Sequence, residues 1–432
     1  MQEYKSYINY LNSLVEKALV NIPENYSSID SALDGEASRE LRKLIDIDAL
    51  RASGAFFTGS SLTKVALQNF AKTISNDSII LDPACGAGDL LIGCLQYIGT
   101  RSNLEETINA WSKQLIGYDI HNEFVEATRL RLALAAMREH SSEHKKDIHY
   151  LNNIFTNIIK KDGLGKDISE AKNATHIVMN PPFIIDDRYK SNIKGMVNSA
   201  ASFMYHYIND AKDGTRILAI LPDVLRSGEY YIKWREFIES RTIEENIHLY
   251  GVFDSSTDVD VFILELLVKK PISTKPIRWG MPNYVNSSEK VGDYFHIHVG
   301  SVVDNRDPHE GSLNPFIKPD NITPWEVVEN ISQMRKFKGR LFKPPFVVIR
   351  RTSRREHQFR AVGTIIADQR EVAVENHLMV LIPRDNKLET CHKLIGNLKQ
   401  QKTNDWLDQR IRCRHLTVSS LIDLPWWNED AQ

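Results

Sequence analysis

Cysteine is scarce. The 432 residues hold only Cys85, Cys94, Cys391 and Cys413, with no CxxC pair and no Cys/His cluster at zinc spacing. That excludes a disulfide framework and a structural zinc centre, and no metal is expected. No apolar run reaches the roughly 18 residues that a membrane-spanning helix needs. The opening MQEYKSYINYLNS is too polar for a signal peptide. The expectation is a cytoplasmic protein with no membrane partner. Internal repeats and low-complexity tracts are also missing. Length and a hydrophobic content of 42% leave room for two or three domains with their own cores.

Net charge is −2, which argues against a generic polyanion binder, but the charge is unevenly placed. Residues 271–432 carry 24 Lys and Arg against 19 Asp and Glu, while the rest carries 30 against 37. Between Arg335 and Arg360 there are ten basic residues and one acidic residue, Glu356. A charge run of this kind is ordinarily a solvated face. A localised basic face is also what a phosphate backbone attracts.

The first 50 residues read as helical, with Leu11, Leu14, Val15, Ala18 and Leu19 at three-to-four spacing. From residue 78 the pattern changes to short apolar runs separated by helical segments. These are SIILD (78–82), QLIGYD (114–119), DIHYL (147–151), ATHIVM (174–179), TRILAIL (215–221), NIHLYGVF (246–253) and DVFILELLV (260–268). Seven strands alternating with helices predict a largely parallel sheet covered on both faces, a doubly wound α/β domain. The alternation fades in the linker-like PISTKPIRWGMPNYVNSSEK. Beyond it lie mixed short elements, including FVVIRR (346–351) and HLMVLIP (377–383). The expected division is 1–50, 51–272 and 273–432.

Three motifs sit at predicted strand ends. In SIILDPACGAGD, Asp82 precedes Gly86 and Gly88 where a strand turns into a helix. The spacing is not the GxGxxG of dinucleotide sites, and a carboxylate there repels a pyrophosphate but attracts a cationic ligand, which favours S-adenosylmethionine (SAM) over NAD. The next strand closes in Gly117-Tyr118-Asp119-Ile120, an acidic end suited to the hydroxyls of a ribose. The third motif is HIVMNPPF, where Pro181 and Pro182 fix two backbone angles and remove two N–H donors, so the strand must stop. Taken singly, each has a bland reading as a tight turn, a helix cap or a strand terminator.

In this order DPACGAG, GYD and NPPF resemble the SAM-binding and catalytic motifs of class I amino-methyltransferases. With the upstream GAFFTGSSLTKVAL (54–67), the chain resembles the gamma-type N6-adenine DNA methyltransferases, closest to the Taq-type group of restriction-modification enzymes. The resemblance covers about residues 50–270 by motif. It implies a Rossmann-like seven-stranded SAM-dependent methyltransferase domain, a helical N-terminal segment and a C-terminal α+β DNA target-recognition domain. The cofactor is SAM, and the partners are double-stranded DNA and a separately encoded restriction endonuclease.

Residue by residue, the resemblance implies SAM contacts from Phe57, Thr58, Asp82, Ala84, Gly86, Gly88, Asp119, Ile120, Asn153, Ile154 and Phe203. The catalytic turn is Asn180, Pro181, Pro182 and Phe183. Asn180 and the Pro181 carbonyl would accept both hydrogens of an adenine amine while Phe183 stacks on the flipped base, helped by Phe253. Arg350, Arg351, Arg354 and Arg355 are candidates for DNA contacts. There are two departures. Phe57-Thr58-Gly59 stands where the family usually has Tyr-Thr-Pro, which is expected to loosen the loop over the cofactor. Asn153 stands where many members have Asp, which is expected to lower SAM affinity.

Four readings compete. One is site-specific methylation of adenine N6 by a standalone enzyme. The others are a modification subunit that borrows its recognition, an RNA or protein-glutamine amino-methyltransferase, and a non-catalytic DNA-binding homologue. The FFTG segment and the long C-terminal region favour the first, and no PD-(D/E)xK arrangement points to a fused nuclease.

Overall fold

The computed structural model describes residues 2–19, 26–140, 154–165, 169–185, 198–253, 259–269, 277–279, 289–353, 357–412 and 414–427. The chain forms two compact units, Met1–Arg226 with Tyr230–Arg278, and Ser227–Glu229 with Trp279–Gln432.

The first unit is built on a seven-stranded sheet of β1 (Ile80–Asp82), β2 (Leu115–Asp119), β3 (Ile158–Lys160), β4 (His176–Met179), β5 (Arg216–Pro222), β6 (Thr242–Val252) and β7 (Asp260–Val268). Its strand order is β3-β2-β1-β4-β5-β7-β6, and β7 alone runs antiparallel to its neighbours β5 and β6. Strands β1 and β4 are buried along their whole length, which is why they read as unbroken apolar runs. The order reverses between β1 and β4, so a crevice opens at their carboxyl ends.

Helices α1 (Lys5–Leu19), α2 (Tyr26–Leu33), α3 (Glu36–Leu44) and α4 (Ile47–Ser53) precede the sheet. The buried face of α1, Leu11, Leu14, Val15 and Ala18 among others, is the one its spacing predicts. This helical segment does not stand apart. It shares one core with Phe57 and Ala87 and with Phe124, Leu134 and Met137 of the helix Asn122–Glu139. The helices that accompany the sheet are α5 (Ser60–Phe70), α6 (Asp89–Ile98), α7 (Leu104–Gln114), α8 (Asn122–Glu139) and α9 (Ser199–Asp210). No helix among the described residues is long and apolar enough to cross a membrane.

The run DIHYL lies outside the described residues, and the third strand of the sheet is Ile158–Lys160, pairing Gly117 with Ile158 and Asp119 with Lys160.

The second unit is α+β. Strands β8 (Phe295–Val299), β10 (Val327–Val328), β12 (Phe346–Arg350), β13 (Gly363–Ile366) and β15 (Leu378–Pro383) form a five-stranded sheet. A three-stranded sheet joins β9 (Ser312–Ile317), β11 (Met334–Phe337) and β14 (Ala373–Val374). The apolar runs at 346 and 377 pair antiparallel at the centre of the larger sheet, Val348 opposite Val380. Alternate residues feed two cores, Val347, Ile349 and Leu381 on one face and Val348, Leu378 and Val380 on the other.

Candidate active site

At the end of β1, Asp82 is 1% exposed and accepts the Ala84 N–H at 3.1 Å. Burial pushes its carboxyl up to about 8, the Ala84 N–H opposes that rise, and the charges of Asp119 and Asp89 add to it. At the end of β2, Asp119 accepts the Gly86 N–H at 3.1 Å on one oxygen and the His121 N–H at 2.8 Å on the other. Burial lifts this carboxyl to about 6 against those hydrogen bonds. Gly86 has φ +52, and a Cβ there would lie 2.8 Å from the Phe57 ring. The glycine is therefore needed for its backbone conformation and for close packing of Phe57.

A cavity of about 280 Å³ opens over these strand ends. It brings together Phe57, Ala84, Gly86, Asp119, Ile120 and Phe203 of the expected cofactor residues, with Asn180 and Pro182 beside them. Thr58 and Asp82 line a small pocket of about 20 Å³ that shares Phe57, Ala84, Gly86 and Asn180 with it. Gly88 lines neither. It starts α6 at φ +85, where a Cβ would meet Thr128 at 2.8 Å. Ile154 is also elsewhere, buried in the hydrophobic core, and Asn153 lies outside the described residues.

The cavity is completed by a segment that sequence reasoning missed, Lys161-Asp162-Gly163-Leu164, directly after β3. The exposed Asp162 accepts the Leu164 N–H at 2.9 Å. Gly163 is pressed so closely on Pro83 that a Cβ would come within 2.1 Å of its carbonyl oxygen. Tyr207 donates to the Gly163 carbonyl at 2.9 Å. The signal was present: NIIKKDG ends an apolar stretch in an acidic residue and glycine, as SIILDPACG does.

A second cavity of about 160 Å³ lies at the end of β4. Its walls include Asn180, Pro181, Phe183 and Phe253, the four residues expected around a base, together with Phe56, which sequence reasoning did not single out. The Phe183 and Phe253 rings meet at 5.9 Å and 81°, and Phe56 meets Phe253 at 6.5 Å and 78°. Three ring surfaces thus bound one slot. The two cavities share Gly54, Phe56, Asn180 and Ile184. The Asn180 side-chain nitrogen donates to the Thr58 hydroxyl at 3.0 Å. The turn is braced from behind, where Ser199 donates its hydroxyl to the Pro182 carbonyl and its N–H to the Ile184 carbonyl at 2.9 Å.

The loop bearing Thr58 is not loosened by Gly59. The Gly59 N–H, which a proline lacks, donates to Asp89 at 2.8 Å. Asp89 is itself held by the buried Arg131 at 2.9 Å, and Arg131 donates onward to the Ala32 carbonyl at 2.8 Å. A buried ion pair therefore ties this loop to the N-terminal helices.

In the second unit Arg350 is exposed and donates to the Pro319 carbonyl at 2.9 Å, Arg351 is half-buried, and Arg354 and Arg355 lie outside the described residues. Two members of the basic run are interior. Arg335 is 2% exposed, paired with Asp304 and donating to the Asp307 carbonyl at 2.8 Å. Arg360 is 1% exposed, 3.4 Å from Asp408, and donates to the Ile411 carbonyl at 3.0 Å. These two stabilise the unit's interior and offer nothing to a phosphate. Among the described residues no three His, Cys, Asp or Glu side chains gather to hold a metal.

A Type II methyltransferase of Bacillus subtilis, M.BsuBI, is 24% identical over 230 residues, which make up 50% of this chain and 43% of that protein. The chain thus spans less than half the length of the curated relative it matches. Among solved structures, the Type IIL restriction-modification enzyme MmeI in complex with DNA is similar at a TM-score of 0.50 and 16% identity, covering 90% of this chain and 67% of that one. The DrdV-DNA complex is similar at 0.51 and 10% identity, covering 91% and 57%. At such identities the structural likenesses show the fold alone. The family described as N-6 DNA Methylase matches residues 46–278, the whole stretch that carries both cavities, and the chain belongs to that family.

Proposed function

We propose that the protein transfers a methyl group from SAM to the N6 amine of an adenine flipped out of duplex DNA, as the modification enzyme of a restriction-modification or phage-defence system. The observation that carries this reading is the meeting of a cofactor-sized cavity and an aromatic slot at Asn180. Family membership supports the substrate class. A cytoplasmic location is part of the same reading, because that is where the DNA substrate would be met.

The first cavity fits SAM by the chemistry of its donors and acceptors. Each Asp119 oxygen accepts one backbone N–H, and a carboxylate has about four acceptor positions, so two remain for ribose hydroxyls. Asp82 supplies a buried carboxyl for the cationic end, Ile120 and Phe203 supply apolar surface, and Asp162 supplies an acceptor at the rim. Bound SAM contributes an electrophilic methyl carbon whose bond to sulfur breaks on transfer, leaving a neutral thioether.

The chain's own residues prepare the amine. Phe183 and Phe253 offset the unstacking cost of the extruded base, a few kcal/mol. Asn180 and the Pro181 carbonyl accept its two N–H groups and draw the nitrogen toward tetrahedral geometry, freeing its lone pair. That pair forms the new N–C bond, and the nitrogen then loses one proton to water. The stiff turn holds both acceptors in place without a covalent intermediate.

The second unit would supply target recognition, with Arg350, Arg351, Arg354 and Arg355 on the phosphate backbone or on guanine edges. Incubation of the purified chain with tritiated SAM and unmethylated duplex DNA, ribosomal RNA or release factor tests the proposal. Label in DNA at adenine N6 supports it, whereas label only in RNA or protein overturns it. Label that appears only after a second polypeptide is added assigns the chain as a modification subunit.

A further inference from the structure

The proposed reaction, on which this inference rests, requires the Asn180 carboxamide to present its oxygen to an incoming amine. A carboxamide has nearly the same shape in both flips, and rotation about its last torsion is only weakly restricted. An amine brings two donors, so a carboxamide that turns its NH₂ toward the base meets donor with donor. Rigid prolines fix the backbone of the turn but not the plane of the Asn180 side chain.

We propose that Thr58 is a positioning residue of the methyl-transfer step: its hydroxyl takes up the nitrogen end of the Asn180 carboxamide and so presents the oxygen end to the target amine. The contact is 3.0 Å from Asn180 Nδ2 to Thr58 Oγ1, across 122 residues of sequence. Thr58 is well suited to the task because both its neighbours are fixed. The Phe57 ring is buried against Phe124 at 4.8 Å and 76°, and the Gly59 N–H is held by Asp89 at 2.8 Å. Thr63 adds a hydroxyl bond to the Gly59 carbonyl at 2.7 Å. A side chain on so constrained a support can hold its partner to the tolerance that catalysis needs.

With the Thr58 hydroxyl accepting from the carboxamide N–H, the oxygen end is left to face the target amine. A residue without a hydroxyl leaves a polar N–H facing a methyl group, which favours displacement of the amide. The role differs from that of a cofactor contact, which the family resemblance gives Thr58, and the two are separable by where the kinetic defect falls.

The test compares Thr58→Val, which keeps the shape, with Thr58→Ser, which keeps the hydroxyl, in the full chain. Substrates are tritiated SAM and PCR-amplified bacterial DNA, whose adenines are all unmethylated. A misplaced catalytic group costs about 100-fold. Thr58→Val is therefore expected to lose kcat on that scale while KM for DNA and calorimetric affinity for SAM stay close to wild type, and Thr58→Ser is expected to recover most of the rate. Unchanged kcat in Thr58→Val, or a loss confined to SAM affinity, overturns the proposal.

Asn180→Ala separates the two levels of the argument. If it is inactive while Thr58→Val is fully active, only the positioning role fails. If Asn180→Ala is as active as wild type, the reading of the site fails with it. A measurement independent of turnover uses ¹⁵N-asparagine labelling, with the Asn180 side-chain amide signal identified by its loss in Asn180→Ala. That signal is expected to shift in Thr58→Val and to stay in place in Thr58→Ser, and a signal indifferent to both substitutions also overturns the proposal.

Discussion

The backbone N–H of Gly59 lies 2.8 Å from Asp89 Oδ2, so the position where related enzymes usually carry proline is held by a hydrogen bond that proline cannot form. Gly59 sits at φ +71, far from the φ near −65° that proline imposes. Gly59→Pro, although it restores the familiar motif, therefore removes a donor from a buried carboxylate and forces the loop out of shape. We expect a loss of about 3 kcal/mol or more in stability and a collapse of SAM affinity. Gly59→Ala keeps the donor and meets only the strain of a backbone region almost exclusive to glycine, about 1–3 kcal/mol. Chemical denaturation and calorimetry of both variants would rank them, and equal behaviour of the two would refute the role of the N–H.

Asp82 makes the stability of the cofactor-free protein fall as pH rises from about 4 to about 8. Its folded carboxyl titrates near 8 whereas an unfolded aspartate titrates near 4, so between those values the folded state holds a proton that the unfolded state has released. Stability must then fall as pH rises through that window, by at most about 1.4 kcal/mol per unit. Asp119, lifted to about 6, adds a narrower window of the same sign. Asp82→Asn cannot ionise. It should stabilise the cofactor-free protein at pH 8, flatten the upper part of the profile, and weaken SAM binding. Thermal midpoints from pH 5 to pH 9 for the two proteins would show it, and parallel profiles would exclude this carboxyl as the cause.

The sheet was legible where local grammar and tertiary role coincide. Strands β1 and β2 end in Asp82 and Asp119, and Asn180 directly follows β4, so each apolar run stops at a polar residue that lines a pocket. Strand β3 is hard to read locally because Ile158 and Ile159 are its only apolar residues. Asp162 and Gly163, which follow it, line the larger cavity, while Ile154 is buried in the hydrophobic core. Phe56 could not be chosen over its neighbours from sequence, because the edge it offers to Phe253 exists only once residues 197 positions apart are folded together. The basic run misled for the same reason: nothing local tells Arg335 and Arg360, which meet Asp304 and Asp408, from Arg350 at the surface.

Phe253 should matter to the base and not to the cofactor. It bounds the smaller cavity and is edge-on to both Phe183 and Phe56, while the larger cavity is lined without it. Loss of one stacking surface costs about 1–3 kcal/mol. Phe253→Ala is expected to lower kcat/KM for DNA by the corresponding tenfold to hundredfold, with SAM affinity retained. A control duplex with a mismatch opposite the target adenine, already partly unstacked, should recover part of the loss. An equal defect on both duplexes would mean that the ring does not stabilise the flipped base.

Arg335 and Arg350 stand 15 positions apart in one basic run, yet their substitution should fail in opposite ways. Arg335 is buried against Asp304 and the Asp307 carbonyl, and removing one partner of a buried pair costs about 3–5 kcal/mol. Arg335→Met should thus lower the stability of the second unit and weaken DNA binding only through loss of folded protein. Arg350 is exposed, its side chain donating to the Pro319 carbonyl. Arg350→Ala should leave the denaturation midpoint in place and reduce the slope of log K against log salt by about one if the residue touches a phosphate. Binding isotherms at several salt concentrations, beside denaturation curves of the same preparations, would separate the two. A normal salt slope in Arg350→Ala would take that arginine off the DNA.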